Sequence, residues 1–313
     1  LIVSDGMAES EPSTVQLTTV SAVVDQNSVD GGSGIDGYSH YPDVSGGKVV
    51  SAFGWGIDYE WDIAVKDIDS GEVVTFAGGG VDTCPTIDGD IVVWCGGPRP
   101  GDFGWPLRNT SIYVHNLATG QHITLKARSD SESFSHPAIS GDKIVWIEHR
   151  GIDVEEENNW RQMPYAICGA DISDFNNPAY FTIAYHVGIK DPYPIDDPSA
   201  DFDDVIDISG DLMVWEGGGD LYGADISDLE NIRYLTVYYG PGRQHDPAIS
   251  GRYVVWTDER DDSGDIYMAD LSDLSNIRRT AVVKSGGSQQ QPDVDGCVAV
   301  YVQGSVYGGE IKA

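Results

Sequence analysis

The chain has 313 residues, 40% of them apolar, enough to bury the core of one large domain or two ordinary ones. Its 51 acidic residues face only 18 basic ones, a net charge of −33. Such a surface repels nucleic acid and anionic membranes and attracts cations, Ca²⁺ among them, with solubility as its plainest consequence. No apolar run reaches the ~20 residues of a membrane helix. Aromatic and β-branched residues are too plentiful for a disordered chain. Leu1 in place of Met leads us to expect a processed or trimmed chain.

In chain order, residues 1–12 read as an N-terminal extension and "STVQLTTVSAVV", Ser13 to Val24, as a lone strand. A unit then recurs six times: "PDVSGGKVVS" from Pro42, "PTIDGDIVVW" from Pro85, "PAISGDKIVW" from Pro137, "IDISGDLMVW" from Ile206, "PAISGRYVVW" from Pro247 and "PDVDGCVAVY" from Pro292. Each copy reads as a strand, a Ser-Gly or Asp-Gly corner, and a second strand ending on an aromatic, Ser51 excepted. A third strand follows ("DIAVKDI", "SIYVHNL", "YAICGADI", "DLYGADI", "DIYMADL"), then a turn and a fourth ("VVTFA", "HITLKA", "AYFTIAY", "RYLTVYY", "RRTAVV"). Four short antiparallel strands at this period specify a β-propeller blade.

The last unit ends at "SVYGGEIKA" with no fourth strand, and Ser13 to Val24, which resembles "NIRRTAVVKS", is the strand that supplies it. The expectation is therefore one all-β domain over residues 1–313. It is a six-bladed β-propeller of four-stranded antiparallel blades starting near 42, 85, 137, 206, 247 and 292, closed by the N-terminal strand in the C-terminal blade. Closure of this kind removes an open sheet edge.

The repeat, clearest in the fifth copy through Pro247, Gly251, Trp256, Asp258, Arg260, Gly264, Asp265, Tyr267 and Asp270, resembles the TolB-like β-propeller repeats. The resemblance implies the fold over nearly the whole chain and leaves function open, since one fold hosts many tasks. TolB carries an extra N-terminal α/β domain that these residues lack, which speaks against the Tol transport role. Residues shared by most copies are accordingly read as architecture, and function is sought in what the copies do not share.

The copies differ in the connections on one face: Asp25 to His40, Phe53 to Trp61, Cys95 to Thr110, His149 to Pro164 and His186 to Asp204. Long loops on one side of a rigid scaffold commonly carry binding. These hold Trp55, Tyr59, Trp61, Phe103, Trp105, Trp160 and Tyr193, rings that suit a sugar or a protein partner, or that simply pack the loops down. A second set stands just before each first strand, where side chains reach the channel mouth: His40, His136, Asp204, His245 and Gln290. His40, His136 and His245 are candidate ligands for a transition metal. His245, Asp258 and His136 are the candidate catalytic groups, with Asp258 expected across the hairpin from His245 and Glu148 across from Ser135. A water-filled polar channel is the alternative reading.

The same hairpin register places Cys84 opposite Cys95, and a disulfide between them would indicate an oxidising compartment. Calcium in the acidic loops is a further candidate, although "DERDDSGD" lacks EF-hand spacing. Two functions follow as expectations. The first is a secreted, periplasmic or cell-surface recognition module that binds glycan or protein through the long-loop face. The second is a metal-dependent polysaccharide lyase or hydrolase at the channel mouth, similar in outline to the oligogalacturonate lyases, though those have seven blades and share no motif with this chain. Neither involves nucleic acid or membrane insertion.

Overall fold

In the computed structural model, residues 38–55, 60–76, 80–97, 110–127, 133–149, 165–186, 205–261, 263–304 and 310–313 are described. They are strands and turns throughout, with no helix among them, and fall into two compact units.

The first unit holds three blades: β1 to β4 (Tyr38–Ser45, Lys48–Trp55, Glu60–Asp67, Val73–Phe76), β5 to β8 (Val81–Asp88, Ile91–Gly97, Ser111–Asn116, His122–Ala127) and β9 to β12 (Ser133–Ser140, Lys143–His149, Tyr165–Asp171, Ala179–His186). A single parallel bridge, Trp61 to Val81, joins the first two into one sheet. The second unit holds β13 to β16 (Ile206–Ser209, Leu212–Gly217, Asp220–Asp225, Arg233–Tyr238) and β17 to β20 (Gln244–Ser250, Tyr253–Asp258, Asp265–Asp270, Arg278–Val283). It ends with β21 to β23 (Gln289–Asp295, Val298–Gln303, Glu310–Lys312). Within each blade every strand pairs antiparallel with the next in sequence. The strand Ser13 to Val24 lies outside the described residues.

The repeated corner has two separate jobs. Its glycine is the first central residue of a two-residue turn and takes φ of +55° to +61° at Gly46, Gly89, Gly141, Gly210, Gly251 and Gly296, a region costly for any side chain. At four of the corners the Ser or Asp before it caps the corner of the next blade. Ser45 Oγ accepts from Gly89 N (3.0 Å), Asp88 Oδ2 from Gly141 N (2.7 Å), Ser209 Oγ from Gly251 N (2.9 Å) and Ser250 Oγ from Gly296 N (3.0 Å). In each of these four pairs one blade satisfies a turn N–H of its neighbour.

Packing follows the strand period of two. The tryptophan within four of the second strands is buried (Trp94, Trp146, Trp215, Trp256), and Trp256 joins Val214, Leu221 and Val237 of the preceding blade in one core cluster. Three of these rings lie against a tyrosine of the third strand, as Trp256 does on Tyr267 at 6.1 Å between centroids. The shared Asp and Arg of the fifth copy complete a clasp. Fully buried Asp258 accepts from Trp256 Nε1 (3.0 Å), Arg260 N (3.1 Å), Arg260 Nε (2.7 Å) and Arg260 Nη2. The guanidinium lies 4.2 Å and 4.1 Å from the ring centroids of Tyr238 and Tyr267.

The hairpins depart from the expected register. Cys84, His136, Asp246 and Gln291, each immediately before a proline, sit at φ of +47° to +51°, and the pairing shifts there by one residue. This is a β-bulge repeated at equivalent positions. Beyond it Thr83, not Cys84, pairs with Cys95, and His245 pairs with Thr257, not Asp258. Ser135 pairs with Ile147, and Phe134 with Glu148. The expected Cys84–Cys95 disulfide is thereby corrected: both residues are thiols, as are Cys168 and Cys297. β13 has no proline at this point and keeps a regular register, Ile206 opposite Trp215.

Candidate functional site

A bulge re-aims side chains, and in the fifth blade it assembles a cluster of charged groups. Asp246, in the left-handed conformation, turns its Oδ2 to 2.9 Å from His245 Nδ1. His245 Nε2 stands 3.4 Å from Glu259 Oε1, an ion pair without good hydrogen-bond geometry. Arg243, two residues before His245, donates from Nε to Glu216 Oε1 at 3.0 Å, with Nη2 also at 3.0 Å from that oxygen. Glu216 is buried at the end of β14, and its Oε2 has no hydrogen-bond partner. Arg243 O accepts from Glu259 N (2.8 Å), which fixes the two segments to each other.

Burial pushes the Glu216 carboxyl up to about 7, against the opposing pull of Arg243 and His245. For His245 burial acts downward, but the Asp246 and Glu259 carboxylates outweigh it and hold the imidazole at about 9. Burial also works against ionised Asp246, yet His245 and Arg243 keep its pKa below the usual carboxylate range. Glu259 is lowered by its contact with His245. The Asp246 and Glu259 carboxylates thus favour the protonated form of His245. The chemistry open to this cluster is charged hydrogen bonding, with Glu216 as the group that titrates near neutrality.

Asp258, expected to act on His245, is instead committed to Trp256 and Arg260. The carboxylates that do act on His245 are Asp246 and Glu259. His136 is half-buried on β9 in the first unit, while His245 belongs to the second. His40 and Trp55 lie on β1 and β2, with side chains outside the described set. Gln290 is half-buried and donates to Ser288 Oγ. Trp61 packs on a core cluster with Val50, Ile63 and Val92. Tyr59, Phe103, Trp105, Trp160, Tyr193 and Asp204 lie outside the described residues. Among the described residues no group of three or more His, Cys, Asp or Glu is placed to hold a metal ion.

Glu216, Arg243 and Glu259 escaped sequence reasoning. A signal for Glu216 was available: the repeats place Ala52, Cys95, Ile147 and Thr257 at its position, all buried, so a carboxylate there breaks the pattern. The cluster sits at the end of the blades that carries the second-to-third and blade-to-blade connections.

Sheets of this strand order, with the repeated corner and the buried tryptophan, are those of β-propeller blades. No family profile matches the chain, and no curated protein does. Among solved structures it is similar to a prolyl endopeptidase at 13% identity and TM-score 0.61, over 92% of this chain and 40% of that one. It is similar to an oligogalacturonate lyase from Vibrio parahaemolyticus at 12% identity and TM-score 0.53, over 89% and 79%. It is similar to TolB from Acinetobacter baumannii at 11% identity and TM-score 0.47, over 81% and 57%. At these identities the first two likenesses are of fold alone.

Proposed function

We propose that this chain is a recognition module that binds glycan or protein through the end of its blades bearing the long connections. One observation carries the reading. All the first-to-second turns are two residues and the third-to-fourth turns are short, whereas residues 98–110, 150–164 and 187–205 all join strands at the opposite end. The charged cluster around Glu216 and His245 lies at the end of the second unit's blades that carries their second-to-third connections, and it offers hydrogen-bonding groups there. An exported or cell-surface setting belongs to this reading on the strength of the acidic surface alone, since the cysteines are thiols.

A glycan array, together with cross-linking to intact cell surfaces, should yield a saturable ligand. Its affinity should fall about tenfold in Trp105→Ala and Trp160→Ala, with the melting temperature unchanged. Undiminished binding in both variants would sink the proposal. The rival reading, a metal-dependent polysaccharide lyase, draws on the fold likeness to oligogalacturonate lyases.

We further propose that the blades form one six-bladed ring, closed when Ser13 to Val24 adds as a fourth strand beside β23. The described part of the last blade has three strands, and Ile311 on β23 is exposed, which suits an edge awaiting a partner. Deleting residues 1–24 should lower the unfolding midpoint of the whole chain, and supplying the segment as a synthetic peptide should restore it. A truncated chain as stable as the parent would overturn closure.

A further inference from the structure

A second feature lies at the other end of the blades, among the short turns. A cleft of about 370 Å³ opens between the start of β16 and the β19–β20 turn. Two arginines, Arg233 and Arg279, line it with Thr236, Ser275 and Asn276, and no Asp or Glu is among the lining residues. In a chain with 51 acidic and 18 basic residues, a cleft with two cations and no anion departs from the rest of the surface.

The two arginines play different parts. Arg279 reaches from the fifth blade to the outer strand of the fourth. It donates from Nε to Val237 O, from Nη2 to Thr236 O (3.0 Å) and from Nη1 to Ile277 O (3.1 Å). Its guanidinium is held in place, with two of its five N–H groups left over. Arg233 makes no hydrogen bond or ion pair among the described residues; its charge acts on Asp273, whose Oδ1 accepts from Ser275 N (3.0 Å) and Ser275 Oγ (2.5 Å). Among the described residues the Asn276 side-chain amide makes no hydrogen bond either, and its backbone N–H donates to Asp273 O. Leu274 and Ile277 pack on the buried Leu235, Val237 and Trp256 cluster, which fixes the floor.

We propose that this cleft binds the oxoanion of a small ligand, a carboxylate or a phosphate. A fixed guanidinium with spare N–H groups, a free guanidinium and an amide donor are the elements of such recognition, at little cost in ordering. The chain's negative field does not forbid it. At physiological ionic strength the Debye length is about 8 Å, so groups inside the cleft outweigh charges farther off.

The test is an NMR titration of the full ¹⁵N-labelled chain with inorganic phosphate, glucuronate and, as the uncharged control, glucose. Phosphate or glucuronate should give saturable shifts in residues 233–236 and 274–279 and in the Asn276 side-chain amide, and glucose should give none. The anion that saturates names the source of the charge. Arg233→Gln, at an exposed site, should weaken binding about tenfold with the melting temperature unchanged, the loss of one charged hydrogen-bonding partner. Trp105→Ala and Trp160→Ala should leave it intact, which separates this site from the long-loop reading. No saturable shift with either anion, or equal affinity in Arg233→Gln, would overturn the proposal.

Discussion

Replacing Asp258 by Ala should destabilise the protein by about 3 kcal/mol or more, the largest single loss expected outside the aromatic core. Asp258 is fully buried and Arg260 mostly so, and the carboxylate also accepts the indole N–H of Trp256. Truncation leaves that N–H unpaired and the guanidinium between Tyr238 and Tyr267 without its counter-ion. Arg260 and Trp256 hold the Asp258 carboxyl below its ordinary range despite burial. The clasp therefore contributes stability above the unfolded-state pKa, and that contribution is lost as pH falls through the folded-state value. Urea unfolding of parent and variant at pH 7 should show the deficit, and at pH 3 the two curves should approach each other. A deficit below about 1 kcal/mol at pH 7 would mean that the clasp is dispensable.

This clasp is also the clearest case of what the sequence discloses. Trp256, Asp258, Arg260 and Tyr267 stand out as a repeat signature, and the structure shows them bound to one another. Strand order, turn positions and the buried tryptophans follow from the period-two pattern and the glycine corners, because both are local. The bulge was not legible. Counting back from Gly89 and Asp90 in an unbroken hairpin sets Cys84 opposite Cys95. One extra residue at each X-Pro step, in a conformation rare for non-glycine residues, displaces everything beyond it. That one-residue error produced the disulfide and the His245–Asp258 pairing together. It also concealed the partners that matter, since Asp246 reaches His245 only because the bulge turns it. Glu216 is long-range in origin: 27 residues separate it from Arg243, and only blade stacking brings them within 3.0 Å.

Arg243→Met should destabilise the protein by about 2 kcal/mol at pH 8 and by much less at pH 5. Glu216 is nearly inaccessible, so without Arg243 an ionised carboxylate would be left buried beside Asp246. Part of the nominal cost of breaking a buried pair is discounted because Arg243 is about one-third exposed (36%). The pH dependence follows from linkage. The folded-state pKa of Glu216, about 7, lies above the ordinary 4.5, so the folded state binds the extra proton between those values. The stability associated with that proton is complete below the unfolded pKa and is lost as pH rises through the folded one. Removing Arg243 raises the folded pKa further, so the variant pays for ionisation at pH 8 and escapes it at pH 5 by keeping the proton. His245, held at about 9, remains charged at both pH values and does not confuse the comparison. The double variant Arg243→Met/Glu216→Leu removes both charges and should recover most of the loss at pH 8. A deficit of equal size at pH 5 and pH 8, or no recovery in the double variant, would show that Arg243 acts through packing and not as the counter-ion of Glu216.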